Sequence, residues 1–240
     1  MKRRSPSETD RSTLSERHCA HGRTGRAAKR VLDVLIAGML LLALFPVLLI
    51  VALVVRLTMG APVLFRHVRP GLGGKPFALY KFRTMAEPRE GQRHQHRFFS
   101  DEQRLTRVGR FLRKSSLDEL PQLTNILRGD MSFVGPRPLL MEYLPRYSTQ
   151  HGRRHESRPG ITGLAQIRGR QGLPFSKRLD LDVWYVDHWS LWLDFKIMLE
   201  TIPRVLGLDG VVDEQRLDEI DDIGLAADLY STGPQRSKPG

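Results

Sequence analysis

Two adjacent carboxylates, Asp118 and Glu119, lie in the stretch SSLDELPQL, directly after the cationic run RLTRVGRFLRK at residues 104–114. Two interpretations fit the pair locally. In the first, Ser116 is the N-cap of a helix and Glu119 completes a capping box, while Asp118 favours the helix N-terminus. In the second, the pair is a reaction centre for phosphate chemistry, because a carboxylate can attack a phosphoryl group and a second can help to hold Mg²⁺.

Three further cations, Arg137, Lys81 and Arg83, lie in segments whose local structure can be predicted from the sequence. Arg137 stands between two prolines in VGPRP, which indicates a rigid loop. Residues 62–85 are typical of a β-hairpin or a pair of extended segments, with turn chemistry in RPGLGGKP. Alternation along its second arm puts Lys81 and Arg83 on the same side, where the two cations can hold a phosphate. The Walker and dinucleotide-binding patterns do not occur.

The charge balance narrows the class of partner. The formal net charge of the 240 residues is +12, which favours nucleic acid, an anionic membrane surface or phosphorylated substrates. Because no helix-turn-helix, zinc-finger or RNA-binding pattern occurs, we expect no nucleic-acid partner. Cys19 is the only cysteine, so an internal disulfide is excluded and a reducing compartment is favoured.

Residues 31–55 form an apolar run that contains Asp33 as its one charged residue and exceeds the roughly 20 residues needed to span a bilayer. Pro46 interrupts the run and predicts a bend. Both flanks are basic, so the positive-inside rule gives no clear orientation. A kinked helix that enters and leaves the membrane by the same face explains both the proline and the two basic flanks. An ordinary single span with a tolerated proline fits them equally.

Two further segments are predicted to be helical. Residues 101–114 form a basic amphipathic helix of the type that lies in a membrane interface, and packing on a protein core is compatible with this. Residues 181–206 follow a helical pattern that contains all three tryptophans, a residue type concentrated at membrane–water boundaries; a buried aromatic core is the alternative. Residues 116–138 and 158–170 are predicted to be ordered loops with short helices.

In combination, these motifs resemble the bacterial sugar transferase family, the monotopic phosphoglycosyl transferases that begin surface-glycan assembly. The resemblance covers residues 29–206 and lies in KRVLDV, LYKFRTM, SLDELPQL, GDMSFVGPRP, RPGITGLAQI and the span from LDVWYV to LDFKIM. It implies a mainly α fold with a small β-hairpin, interfacial amphipathic helices, and a re-entrant membrane helix hinged near Pro46 with both ends cytoplasmic. Family members commonly have Ser before that proline, where this chain has Phe45.

The resemblance also implies a reaction. Family enzymes use Mg²⁺ and transfer a phosphosugar from a UDP-sugar to undecaprenyl phosphate at the bacterial inner membrane. Asp118 matches the nucleophile and Glu119 its partner, and we expect both to hold the metal. The positions that match substrate-binding residues of the family are Lys81, Arg83, Arg137 and Asp194, with Asp182 as an alternative to Asp194.

Together with the resemblance, the sequence predicts four segments: a disordered basic arm (1–28), a re-entrant membrane helix (29–58), a cytoplasmic and interfacial catalytic domain (59–207) and an acidic tail (208–240). The re-entrant form and the catalytic domain are implied by the resemblance. A homo-oligomer is compatible with the sequence, and neither the sugar nor the glycan pathway can be read from it. The competing hypothesis is a membrane-anchored basic protein that binds nucleic acid or anionic lipid without catalysis. That hypothesis predicts strongly salt-dependent binding and no dependence on Asp118.

Overall fold

The computed structural model describes residues 8–86, 104–169, 173–205 and 221–225. In this part of the chain the fold is mainly helical, with two small two-stranded sheets. The prediction of a mainly α fold with one β-hairpin is confirmed. The second sheet was not predicted.

Helix α1 (Glu8–Ala43) and helix α2 (Phe45–Met59) are separated by a break at Leu44. The break coincides with Pro46, which lies in the first turn of α2. A proline within a continuous helix would remove one hydrogen bond and clash with the preceding turn, so the helix restarts here. Helix α1 begins inside the segment predicted to be a disordered arm, of which residues 1–7 lie outside the described residues.

The bend between Thr24–Ala43 and Phe45–Met59 is 63°. Within the described residues, no single helix is long and apolar enough to cross a membrane. The bent pair taken together meets the requirement by length and composition, either as a broken span or as a re-entrant loop.

Strands β1 (Leu64–Pro70) and β2 (Pro76–Phe82) pair antiparallel and confirm the predicted hairpin. The turn between them is a short 3-10 helix, Leu72–Gly74. Gly73 and Gly74 have φ values of +64° and +74°, a backbone conformation that favours glycine. The sequence RPGLGGKP therefore fixes the point at which the chain reverses.

Helix α3 (Arg107–Lys114) begins at the N-cap Thr106, whose side chain accepts a hydrogen bond from the Gly109 amide. The predicted helix over 101–114 is therefore shorter than expected. Leu105 is not part of it, because this residue forms a β-bridge with Met85, and residues 101–103 lie outside the described residues. Leu112 packs against α2 in a core cluster, whereas Phe111 is 63% exposed.

The two segments predicted as ordered loops contain short elements. The first holds helix α4 (Gln122–Arg128) and strand β3 (Ser132–Val134); the second holds strand β4 (Gly160–Thr162) and helix α6 (Leu164–Arg168); helix α5 (Thr149–Gly152) lies between them. Strands β3 and β4 pair parallel and form the second sheet.

Asn125 attaches α4 to the hairpin. This fully buried side chain donates to the Ala78 carbonyl at 2.7 Å and accepts from the Tyr80 amide at 3.2 Å. It therefore replaces two hydrogen bonds that β2 would otherwise make with a further strand.

The helical pattern over 181–206 is two helices, α7 (Phe175–Asp187) and α8 (Leu191–Val205). Ser190 explains the break, since its hydroxyl accepts a hydrogen bond from the Leu193 amide at the start of α8. Trp184 and Trp192 are exposed, whereas Trp189 packs into a core cluster with both helices.

Candidate active site

The two carboxylates lie on a single 3-10 turn, Leu117–Glu119. The residue before the turn, Ser116, has a φ of 55°, in the left-handed region, and within the described residues its side chain makes no capping hydrogen bond. The capping-box interpretation is therefore wrong. The left-handed Ser116 follows α3 and precedes the turn, and both carboxylates line a cavity that hairpin residues also line.

Glu119 brings two of the predicted cations together. Its Oε1 atom accepts from Lys81 Nζ at 2.6 Å and from Arg137 Nη2 at 3.0 Å. Burial alone raises the pKa of Glu119, but the charges of Arg137 and Lys81 outweigh it and hold the pKa at about 2. Glu119 is thus ionised throughout the neutral pH range.

Asp118 has a different environment. The residue is buried, and within the described residues no hydrogen bond or ion pair occupies its carboxylate. Burial, followed by the negative charge of Glu119, raises its pKa to about 6 against the opposing charges of Lys81, Arg113 and Arg137. A carboxylate without such a partner, protonated in mild acid and ionised above about pH 6, is a candidate nucleophile.

A cavity of about 960 Å³ opens beside the dyad. One wall is charged and holds Lys81, Arg113, Asp118, Glu119 and Arg137. The cavity is apolar where α1 meets α2, because Leu40 and Leu44 line it there. The space therefore suits a molecule with an anionic head and an apolar body.

Arg83 lines the same cavity, but its guanidinium holds the end of α2. It donates to the Ala61 carbonyl at 3.1 Å and to the Met59 carbonyl. Because the last carbonyls of a helix have no partners within the helix, this contact fixes the end of α2 against the end of β2.

Asp194 is not among the residues that line the cavity in the described part of the chain. It is buried and accepts hydrogen bonds from the Tyr185 hydroxyl at 2.6 Å and from Trp189 Nε1 at 3.0 Å. Its third partner is Lys29, whose Nζ atom lies 2.5 Å away. These contacts join α1 to α7 and α8, so the predicted substrate-binding role of Asp194 stays a prediction.

Asp182, the alternative to Asp194, forms a buried ion pair with Arg154 at 2.6 Å. Arg154 Nη2 also donates to the Arg137 carbonyl at 2.7 Å. The pair thus supports the loop from which Arg137 reaches Glu119. Sequence reasoning missed Arg154, because nothing local distinguishes it in HGRRHES.

Comparison with known proteins identifies the family of this chain. A family model described as bacterial sugar transferase matches residues 24–207, most of the chain. This chain belongs to the bacterial sugar transferase family. The predicted family and the predicted enzyme class, phosphoglycosyl transferase, are confirmed.

Three relatives illustrate the likeness. The uncharacterized sugar transferase EpsL of Bacillus subtilis is 53% identical over 183 residues, covering 76% of this chain and 89% of the relative. The UDP-glucose:undecaprenyl-phosphate glucose-1-phosphate transferase of Caulobacter vibrioides is 46% identical over 189 residues, covering 75% and 70%. The exopolysaccharide production protein ExoY of Sinorhizobium fredii is 43% identical over 197 residues, covering 75% and 86%.

Proposed function

We propose that this enzyme transfers a sugar-1-phosphate from a UDP-sugar to undecaprenyl phosphate, the first membrane step of surface polysaccharide or glycoconjugate assembly. The observation that carries the proposal is the site itself. Asp118 is buried and has no partner within the described residues, and it lies beside the Glu119, Lys81 and Arg137 cluster in a cavity that extends to the apolar helix break. The Caulobacter relative is named for this class of donor and acceptor, which supports the assignment.

Asp118 performs the first step. Its carboxylate oxygen attacks the β-phosphorus of the donor and forms a new O–P bond. The bond between that phosphorus and the oxygen bridging to the α-phosphate breaks, and UMP leaves with the electron pair. A phosphosugar remains as an acyl phosphate on Asp118.

The second step releases the sugar. A phosphate oxygen of undecaprenyl phosphate attacks the same phosphorus, and the bond to the Asp118 oxygen breaks. The product is a diphosphate-linked sugar on the lipid, and the Asp118 carboxylate is regenerated. In both steps Lys81, Arg113 and Arg137 lie where negative charge accumulates on the phosphates.

The different pKa values of Asp118 and Glu119 suit the two carboxylates to different roles. With a pKa of about 6, Asp118 is mostly ionised at pH 7 and can attack without first losing a proton. Glu119, with a pKa of about 2, is a permanent charge that fixes Lys81 and Arg137 beside its neighbour. With Arg113 included, three cations face two carboxylates in the cavity, which leaves a net positive surface for a diphosphate.

The carboxylates of Asp118 and Glu119 also fit Mg²⁺, which proteins usually hold through one or two carboxylates together with substrate phosphates and water. When bound, the metal would neutralise charge on the donor diphosphate. Among the described residues, these are the only acidic side chains that line the cavity, so we assign both to the metal.

We further propose that α1 and α2 form a re-entrant hairpin in the cytoplasmic face of the bacterial inner membrane. The 63° bend at Pro46 supports this arrangement. Both arms expose large apolar side chains, which need a partner surface; these include Val31, Leu35, Met39, Leu42, Leu49, Ile50, Leu53 and Leu57. A shallow hairpin lets one cavity receive a lipid from the membrane and a nucleotide from water.

The test is to identify the released nucleotide. Membranes that contain the enzyme would receive Mg²⁺, undecaprenyl phosphate and a panel of UDP-sugars. We expect UMP, and its release should disappear in Asp118→Asn but persist in Asp180→Asn, which changes an exposed carboxylate.

Release of UDP would indicate ordinary glycosyl transfer and overturn the mechanism. A donor labelled in its β-phosphate, supplied without the lipid, should leave label on wild-type protein and none on Asp118→Asn. The active member of the panel would identify the sugar. No release from any donor would favour an inactive scaffold with the family fold.

A further inference from the structure

One face of the hairpin forms a wall of the cavity. Residues along a strand alternate between faces, and Phe65, His67 and Arg69 of β1 all line the cavity. Lys81 of β2 lies opposite Phe65 in the register and lines it as well. Arg69 therefore shares this wall with a residue of the catalytic cluster, whereas Arg66 belongs to the other face and is exposed.

Arg69 differs from Lys81 and Arg137 in its side-chain contacts. Lys81 and Arg137 are both paired with Glu119, but the guanidinium of Arg69 makes no hydrogen bond or ion pair within the described residues, and its Nε atom is buried. Burial, followed by the charge of Arg137, lowers its pKa, and Glu142 only partly opposes this. A half-buried guanidinium next to a second one is unfavourable unless an anion completes the site.

The position of Arg69 indicates which anion this is. It lines the same cavity as Lys81, on the same face of the hairpin. The charge of Arg137 acts on Arg69, and Arg137 contacts Glu119 at 3.0 Å, so Arg137 links Arg69 to the carboxylate pair. A donor whose β-phosphate lies at Asp118 needs a separate cation for its other phosphate.

We propose that Arg69, together with Arg137, binds the phosphate of the departing nucleoside monophosphate. This assignment rests on the proposed function, because that nucleotide leaves only in a phosphosugar transfer. The planar guanidinium suits the task, since it can donate two parallel hydrogen bonds to one phosphate. Arg69 is then a substrate-binding residue for the donor and has no contact with the lipid acceptor.

The test compares inhibition by UMP with inhibition by uridine, which lacks the phosphate. In Arg69→Gln we expect the inhibition constant for UMP and the KM for the UDP-sugar to rise about tenfold to a hundredfold. Inhibition by uridine and the KM for undecaprenyl phosphate should not change. Arg66→Gln removes a charge from the opposite face of the same strand and should behave as wild type.

Three results would overturn the assignment: UMP inhibition of Arg69→Gln at the wild-type level, equal weakening of UMP and uridine, or the same loss in Arg66→Gln. Thermal unfolding reports whether each variant folds. If Arg69→Gln does not fold, Arg69→Lys carries the test. This variant keeps the charge and loses the planar fork, so UMP inhibition should weaken severalfold and uridine inhibition should not.

An unchanged UMP constant in Arg69→Lys would then count against the proposal. Failure of the proposed function has a different signature, because wild-type enzyme would release no UMP from any donor.

Discussion

Asp118 and Glu119 are consecutive residues whose carboxyl groups have pKa values of about 6 and about 2, on opposite sides of the usual range. Asp118 is buried and Glu119 is partly buried, and the difference in pKa comes mainly from their contacts. Glu119 accepts from Lys81 and Arg137, whereas the Asp118 carboxylate has no such partner within the described residues. Paired titratable groups whose pKa values diverge commonly have different chemical roles. This difference supports the proposed roles, in which Glu119 is the fixed charge and Asp118 is the reactive group.

The pH dependence of the reaction should follow Asp118. Because the carboxylate must be ionised to attack, kcat/KM should fall as the pH drops through about 6. Removing the charge in Lys81→Gln should raise the pKa of Asp118 and move this acidic limb to higher pH. The measurement is kcat/KM between about pH 5 and pH 8 for both proteins.

Lys75→Gln is the matched control for this experiment, since Lys75 is exposed in the hairpin and does not line the cavity. Its acidic limb should match that of wild type. An acidic limb that stays in place in Lys81→Gln would contradict the assignment of the titration to Asp118.

The Asp118→Asn variant should be more stable than wild type. The pKa of Asp118 is raised from 3.8 to about 6, so the folded state disfavours its charge by up to about 3 kcal/mol at pH 7. This penalty is complete above pH 6 and fades as the pH falls towards 4, where the carboxyl group is protonated in both states. The asparagine side chain carries no charge, so the variant does not have this penalty.

Thermal unfolding in detergent checks this expectation. The variant should unfold at a higher temperature than wild type at neutral pH, and the difference should shrink near pH 4, the ordinary pKa of the group. A stability gain of the same size at both pH values would show that charge is not its cause. Higher stability with lost activity is the trade-off expected of a catalytic group.

The sequence predicts the parts of the fold that depend on local chemistry. Two glycines with positive φ define the hairpin turn, and Pro46 defines the break between α1 and α2. The cations Lys81 and Arg137 were expected at the carboxylates, and both contact Glu119. The turn and the break each follow from a few consecutive residues, whereas the placement of the two cations follows from the resemblance to the family.

Other features depend on contacts between distant segments, which periodicity cannot reveal. The parallel strands β3 and β4 have only three residues each, too few to show alternation. Lys29 and Asp194 are 165 residues apart, so their ion pair has no local signal. In the sequence, Arg69 belongs to the predicted turn RPGLGGKP. Its position in the cavity follows only from the register of the hairpin.

The ion pair between Lys29 and Asp194 should contribute to stability. Both side chains are mostly buried, at 15% and 6% exposure, and loss of one partner leaves a buried charge. We expect Asp194→Asn and Lys29→Met each to cost about 3 to 5 kcal/mol of unfolding free energy, and the double variant to cost less than their sum. Asp187→Asn, in an exposed ion pair with Arg153, should change the unfolding free energy much less.

Chemical denaturation and donor kinetics together separate the two roles of Asp194. If it joins α1 to α7 and α8, folded Asp194→Asn keeps a wild-type donor KM. A large rise in donor KM with unchanged stability would instead support the substrate-binding role predicted from the sequence.

Gly109 should not tolerate a side chain, because α3 lies directly against the segment that follows β2. A Cβ atom at this position would stand 1.9 Å from the Thr84 carbonyl oxygen, which also accepts from the Thr106 amide. Neither backbone can move freely, since Arg113 of α3 also donates to the Thr84 hydroxyl at 3.2 Å. Gly109→Ala should therefore cost about 1 to 3 kcal/mol or more of unfolding free energy.

The same substitution should reduce transfer, since α3 carries Arg113 into the cavity and leads into the turn that holds Asp118. Gly152→Ala is the matched control: a methyl group added there would meet no atom within 4 Å, and the φ of Gly152 is −59°. Alanine at this position should be neutral or gain up to about 1 kcal/mol. Unfolding curves and UMP release would be measured for both variants. Equal stability of the two would show that α3 can move away from Thr84 without cost.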